Sequence, residues 1–262
     1  MKQLHVLITG TTSGIGCGLL EHYAGNNFHV TALNRRTDET GKLRWPGVRF
    51  VTVDVRDTAG VAQLIHALAQ ENDLPDIFVL NAGINRVDND THLDLVQFRD
   101  TMDTNLYGAI NFAAPLTELK SWPHPIKIVA ISSTTNYGAN PYCLGYYISK
   151  IALTRCFQIL SDMYSSTPLR FKWVILGPVP TAINSSGDKF PKIMIIIKNL
   201  FSATLENAVH TISKFALNNR HQLIYPWKAY FLFRAMGIAR LLIPGFYQGQ
   251  KTLSGEPRHC SK

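Results

Sequence analysis

The chain has 262 residues, of which 46% are hydrophobic and 17% charged. A charged share well under the usual value of about 25%, beside so large an apolar fraction, excludes a disordered or fibrous chain and fits a packed domain with a sizeable core. The 26 lysines and arginines exceed the 18 aspartates and glutamates by eight, which favours anionic partners such as phosphates, nucleic acid or an acidic membrane face.

The first apolar run, Leu4 to Ile8, leads directly into a glycine-rich turn and is too short for the core of a secretory signal. It predicts a first strand. The helix-like segment that follows, 15–25, stops at Gly25, a residue suited to a helix end. Further strands are predicted at 28–33, 48–53, 77–80, 126–131, 171–176 and 223–225, and helices at 58–70, 92–113, 143–164 and 204–217. The apolar runs are nearly continuous rather than alternating, as strands covered on both faces are. Strand–helix alternation predicts an α/β fold with a doubly wound parallel sheet, Rossmann-like, in a single domain over 1–244. Within it, 182–203 reads as a substrate lid and 228–243 as an apolar helix, while the polar end 245–262 reads as a flexible tail. Cys17, Cys143, Cys156 and Cys260 have neither metal-ligand nor disulfide spacing, so reduced thiols and a cytoplasmic setting are expected.

The turn Thr9-Gly10-Thr11-Thr12-Ser13-Gly14-Ile15-Gly16 joins the first strand to the first helix. Glycines let the backbone approach a pyrophosphate closely, and the helix start turns free amides and a positive dipole toward it. Gly10, Ser13, Gly14, Ile15 and Gly16 are therefore candidate cofactor contacts. At the end of the second strand, Ala32-Leu33-Asn34-Arg35-Arg36 offers no acid for a ribose 2′-hydroxyl. Asn34 and Arg35 stand where a 2′-phosphate would lie, and the planar fork of Arg35 suits it, so the expected cofactor is NADP(H) rather than NAD(H).

Tyr146 and Lys150 stand four residues apart, on one face of a predicted helix. An ammonium there is expected to pull the phenol pKa down from about 10 toward working pH, where Tyr146 can exchange a proton with a carbonyl or carbinol oxygen. Upstream, the strand 126–131 ends in the hydroxyls Ser132 and Ser133; a serine there can donate to a substrate oxygen or simply cap a turn.

The turn, of the form T-G-x-x-x-G-x-G, together with Tyr146-x-x-x-Lys150 resembles the short-chain dehydrogenase/reductase (SDR) family, and the resemblance covers at least residues 4 to 181. It implies that Asp54 and Val55 contact adenine and that Asn81-Ala82-Gly83 is the family's N-A-G element. It places Ser133, thirteen residues before Tyr146, at the catalytic serine position, and makes Asn105 the asparagine that anchors a water in the proton relay. Gly177-Pro178-Val179-Pro180-Thr181 resembles the segment that cradles the nicotinamide, with Val179 and Thr181 as contacts, although Leu176 stands where the family has proline. Lys150 then has a second task, holding the nicotinamide ribose. The implied activity is hydride transfer between NADP(H) and the carbonyl or hydroxyl group of a substrate, by a homo-oligomer. The alternative is a non-catalytic NADP(H)-sensing or scaffolding protein of the same fold.

Other chemistry finds less footing. The nine histidines show no metal-ligand spacing, so no metal is expected. There is no G-x-S-x-G elbow, and the basic residues form no run with interleaved aromatics, so neither a serine hydrolase nor a nucleic-acid partner is expected. The apolar run Phe190 to Ile197 in the lid favours a lipophilic substrate or fills a core or subunit contact. In 228–243, apolar residues gain about 0.3 to 0.6 kcal/mol each on insertion and each central arginine costs about 2.5 to 3.5 kcal/mol, so Arg234 and Arg240 argue against a spanning helix. An interfacial helix at a membrane and a helix packed on the sheet or a partner subunit both stay open.

Overall fold

A computed structural model describes residues 3–86, 93–137, 143–181 and 201–242; most of the expected lid and the whole expected tail lie outside them. The elements in chain order are β1 (His5–Thr9), α1 (Gly14–Ala24), β2 (His29–Asn34), α2 (Glu39–Arg44), β3 (Arg49–Thr52), α3 (Thr58–Gln70), β4 (Ile77–Leu80) and α4 (Leu95–Met102). After one π-helical turn, Asp103–Tyr107, come α5 (Gly108–Glu118), β5 (Ile126–Ser133), a 3₁₀ turn Thr134–Tyr137, α6 (Leu144–Met163), β6 (Leu169–Leu176), α7 (Leu205–Leu217), β7 (Gln222–Tyr225) and α8 (Trp227–Leu242).

The seven strands form one sheet in the order β3-β2-β1-β4-β5-β6-β7, every pair parallel. The chain winds outward from β1 to β3, returns to β4 on the other side of β1, and winds outward again. This is the doubly wound arrangement, with its switch point between β1 and β4. Side-chain alternation explains the continuous apolar runs. Leu7, Phe78 and Ile128 face one core with α3, α5 and α6, while Val6, Ile8, Val79 and Val129 face a second core with α1 and α7. Both faces of the central strands β1, β4, β5 and β6 are covered, so both parities there are largely apolar, while the edge strands β3 and β7 keep exposed positions.

Three local expectations change. The predicted helix 92–113 is interrupted by the π-helical turn around Asn105, an insertion that periodicity cannot show. Gly25 ends α1 but stays right-handed; the left-handed residue is Asn27, at φ 58°. The short helix α2 goes unpredicted because it buries no residue and carries no apolar stripe; it is started by Asp38, whose side chain accepts from the Gly41 amide.

Two lysines secure α7. Lys172 on β6 donates to the carbonyls of Phe215 and, at 2.7 Å, Asn218, and Lys127 on β5 donates to that of Leu217. Ammonium groups thus take carbonyls that the last turn of a helix leaves without partners.

Candidate active site

The glycine-rich turn sits at the carboxyl end of β1, braced from both neighbouring strands. Gly10 and Gly14 have φ of +73° and +57°, and a Cβ on Gly16 would lie 2.0 Å from the Gly10 carbonyl oxygen, so this path admits little but glycine. Ser13 leads into α1 from extended backbone without a side-chain cap, and the first turn holds no acid. The first amides of α1 therefore face outward without a capping side chain, a setting suited to an anion. Asn34, expected among the cofactor contacts, instead turns its amide inward: Oδ1 accepts from the Thr11 amide at 2.8 Å and Nδ2 donates to Thr11 Oγ1 at 2.9 Å. Arg35, the next residue, is exposed.

The Asn81-Ala82-Gly83 element locks onto the same turn. Asn81 Nδ2 donates to the carbonyls of Thr9 and Gly10 at 3.1 and 3.0 Å, and the amides of Asn81 and Ala82 both donate to Thr9 Oγ1 at 3.0 Å. Thr181, after β6, packs so close that a Cβ on Gly14 would meet it at 3.3 Å, while Val179 is buried in the core. Asp54 carries the Arg56 guanidinium, Nε on Oδ1 at 3.0 Å and Nη2 on Oδ2 at 2.6 Å, and Arg56 extends to Asp100 at 2.8 Å. The hydrogen bond from Arg56 holds the Asp54 carboxyl below its usual range, so an adenine contact there has to share the carboxylate with Arg56. Val55 is buried and its carbonyl accepts from Asn111 Nδ2 at 2.9 Å.

At the carboxyl end of β5 the expected catalytic side chains converge. Ser133 hydrogen-bonds Tyr146. Lys150 Nζ lies 5.9 Å from the centre of the Tyr146 ring and donates to the Ile131 carbonyl at 2.8 Å. Ser132 acts structurally, tying β5 to α6 through the Lys150 carbonyl at 3.0 Å and the Thr154 hydroxyl at 2.6 Å. Asn105 donates to the Ile84 carbonyl at 2.9 Å and to Ser149 Oγ at 3.0 Å, and accepts from the Ile84 amide at 2.7 Å. Its side chain thereby pins the segment after Gly83 to α6. Gly83 lies between, since a Cβ on it would come within 3.2 Å of Asn105 Oδ1 and 3.5 Å of Lys150 Nζ.

The electrostatics correct one expectation. Burial raises the Tyr146 pKa above its ordinary value, and the Ser133 hydrogen bond opposes this only in part. Burial also pushes Lys150 down, to about 8. Desolvation favours the neutral form of each group and is the largest influence on both. The residues that sequence reasoning passed over are the ones that hold the turn and the carboxylates, namely Thr9, Thr11, Arg56 and Asp100. Thr9 belongs to the motif of the turn, but its bracing role and the places of the other three follow from partners on other strands and helices, which no local pattern shows.

The comparisons agree with this geometry. An uncharacterized oxidoreductase of Myxococcus xanthus is 25% identical over 237 residues, spanning 87% of this chain and 89% of its own length. A short-chain dehydrogenase from Streptomyces avermitilis shares the fold with a TM-score of 0.77 at 16% identity, over 98% of this chain and 100% of that one. ElxO, solved with NADP bound, does so with a TM-score of 0.74 at 22% identity, over 85% and 97%. Other structures of the same fold hold NADH. A family model described as short chain dehydrogenase matches residues 4–191, a span holding both the glycine-rich turn and the Ser133–Tyr146–Lys150 cluster, and the chain belongs to that family.

Proposed function

We propose that this oxidoreductase uses NADP(H) to interconvert the carbonyl and hydroxyl forms of a lipophilic substrate. The observation that carries the reading is the convergence of Ser133, Tyr146 and Lys150 beside a glycine-rich turn whose β2 neighbour is followed by Arg35 rather than an acid. The residues fit a dinucleotide. Gly16 lets α1 start hard against the Gly10 carbonyl, where a Cβ would not fit, the start of α1 is free of acids, and Arg35 is exposed for a 2′-phosphate.

When bound, the nicotinamide supplies the hydride chemistry. The chain's own residues position the substrate oxygen and move its proton. The Ser133 hydroxyl donates to that oxygen, and the Tyr146 phenol gives or takes the proton there. Lys150 holds the ribose hydroxyls and lends positive charge to the phenol, while Asn105 positions α6 and the segment after Gly83. Lipophilic preference is supported by the apolar run Phe190 to Ile197 in the segment after β6. The presence of Asn105, Ser133, Tyr146 and Lys150 together disfavours a sensor without turnover.

Two measurements test the proposal. Tyr146→Phe is expected to cut turnover on a panel of carbonyls and alcohols by at least about a hundredfold while cofactor dissociation constants hold; ordinary turnover would overturn the assignment. Wild type is expected to bind NADPH more tightly than NADH, and Arg35→Ala to lose about tenfold for NADPH alone, an amount matching one charge-assisted contact. A wild-type preference for NADH rejects the cofactor choice without touching the catalytic one.

A further inference from the structure

The strands carry a second group of side chains at their amino-terminal ends, away from the carboxyl ends where Ser133 and the glycine-rich turn lie. His5 and His29 begin β1 and β2 and stand opposite one another in the parallel register. Asp73, in the connection between α3 and β4, turns its Oδ1 toward both, 3.2 Å from His5 Nδ1 and 3.7 Å from His29 Nδ1. The three candidate donor atoms lie within 4.8 Å of one another. We infer that His5, His29 and Asp73 form a binding site for a borderline divalent cation such as zinc or cobalt, with water completing the coordination.

The chemistry of each donor supports this. At bond lengths of 2.0 to 2.2 Å, neighbouring ligands around a tetrahedral ion are about 3.3 Å apart, close to the two separations already present. The donor set is two imidazoles and one carboxylate, and a water would be the fourth ligand. His5 is 4% exposed, and its Nδ1 is buried without a hydrogen-bond partner. Its other nitrogen, Nε2, is 2.8 Å from the hydroxyl of fully buried Thr31. With an ion bound, Nε2–H would donate to that hydroxyl and the Nδ1 lone pair would face the ion, an arrangement that orients metal-bound histidines.

Asp73 is oriented in the same way. Its Oδ2 takes the Arg49 guanidinium at 3.1 Å, which leaves Oδ1 to the imidazoles. Arg49 also sets a limit, because its charge repels a cation and weakens binding. The imidazoles stack with centroids 4.0 Å apart and planes 28° from parallel, whereas a shared ion needs to lie in both ring planes. His29, with a side chain 38% exposed, has the freedom to turn its Nδ1 toward the ion. A bound cation would tie β1, β2 and the α3–β4 connection together without touching the catalytic cluster.

The test uses the full chain freed of metal with a chelator. Cobalt(II) is titrated and followed by its visible absorption, and zinc(II) by calorimetry and by the shift in Tm. One saturable ion per chain is expected, with about tenfold or greater weakening in both His29→Ala and Asp73→Asn. His210→Ala, at a separate histidine pair whose ring centroids are 6.4 Å apart, is expected to bind as wild type does. The absence of saturable binding, unchanged affinity in His29→Ala, or equal loss in His210→Ala would overturn the site. None of these outcomes depends on turnover.

Discussion

Replacing Lys150 with methionine is expected to stabilise the fold while removing activity. The side chain is 5% exposed, and its ammonium donates to one carbonyl, that of Ile131 at 2.8 Å. Burial lowers its pKa from 10.5 to about 8, a difference of 2.5. At about 1.36 kcal/mol per pKa unit this puts the cost of carrying the charge into the fold at roughly 3 kcal/mol. The sign follows from proton counting. Below pH 8 the group is charged in both states and the whole cost is present; between 8 and 10.5 the folded state sheds its proton first, so folding becomes more favourable as pH rises. Methionine removes the cost and fills similar volume, but leaves the Ile131 carbonyl without its donor, a loss of about 1 to 3 kcal/mol. The net expectation is a gain of about 1 kcal/mol at pH 7. Urea unfolding of both proteins at pH 7 and pH 10 measures it. Lys172, also lowered by burial, to about 7, contributes the same sign to both proteins and cancels in the difference. A variant less stable than wild type at both pH values, or a difference that does not change with pH, would show that desolvation does not govern Lys150.

Two further outcomes follow from groups outside the catalytic cluster. His5, with its pKa lowered to about 4 chiefly by burial and then by His29, stays neutral in the fold while the unfolded chain takes up a proton below pH 6.5, so metal-free wild type is expected to lose about 3 kcal/mol of stability as pH falls from 6.5 to 4; His5→Gln should flatten that limb, and an unchanged limb would place the loss elsewhere. On α8, Trp227 and Phe231 are 63% and 62% exposed on one helix face beside Lys228, and flotation with anionic vesicles is expected to carry wild type upward but not a Trp227→Ser, Phe231→Ser double variant; wild type that stays down with anionic vesicles removes the membrane reading.

The segments legible in sequence were those whose signal is local. Runs such as Ile77–Leu80 and the helix Thr58–Gln70 appear where the apolar pattern places them, because a strand buried on both faces and an amphipathic helix each leave their own periodicity. The turn and the Tyr146–Lys150 pair are legible for the same reason, being short fixed spacings within one element. What could not be read is whatever joins distant parts of the chain. Asn34 looked like a cofactor contact at a strand end, yet its partner Thr11 lies across the turn. Asp54 has the expected position, but Arg56 and Asp100 set its charge. His5, His29 and Asp73 show no ligand spacing because the sheet register, rather than the sequence, sets their separation. Of the apolar helix expected at 228–243, the structure buries Ala229 and packs Tyr230 on Tyr137, leaving Trp227 and Phe231 outward; no helix among the described residues is long and apolar enough to cross a membrane.

The raised phenol changes how the proposed chemistry has to run. A tyrosine with a lowered pKa would serve equally as acid or base near neutrality, whereas burial here keeps Tyr146 protonated. Lys150, at about 8, still carries its proton at pH 7. The resting pair is therefore a phenol beside an ammonium, the form that donates a proton to an oxygen gaining negative charge as a carbonyl is reduced. Oxidation needs the phenolate, which burial makes costly and which the Ser133 hydrogen bond and the Lys150 charge can only partly recover. Lys150 loses that charge above pH 8, so the group that would assist the phenolate fades in the range where the phenolate would form. The proposed enzyme is accordingly expected to favour reduction at neutral pH, with a reduction rate that falls above about pH 8 and an oxidation rate that rises with pH until Lys150 deprotonates. Oxidation that is already fast and independent of pH below pH 8 would mean that the phenol titrates lower than its burial implies.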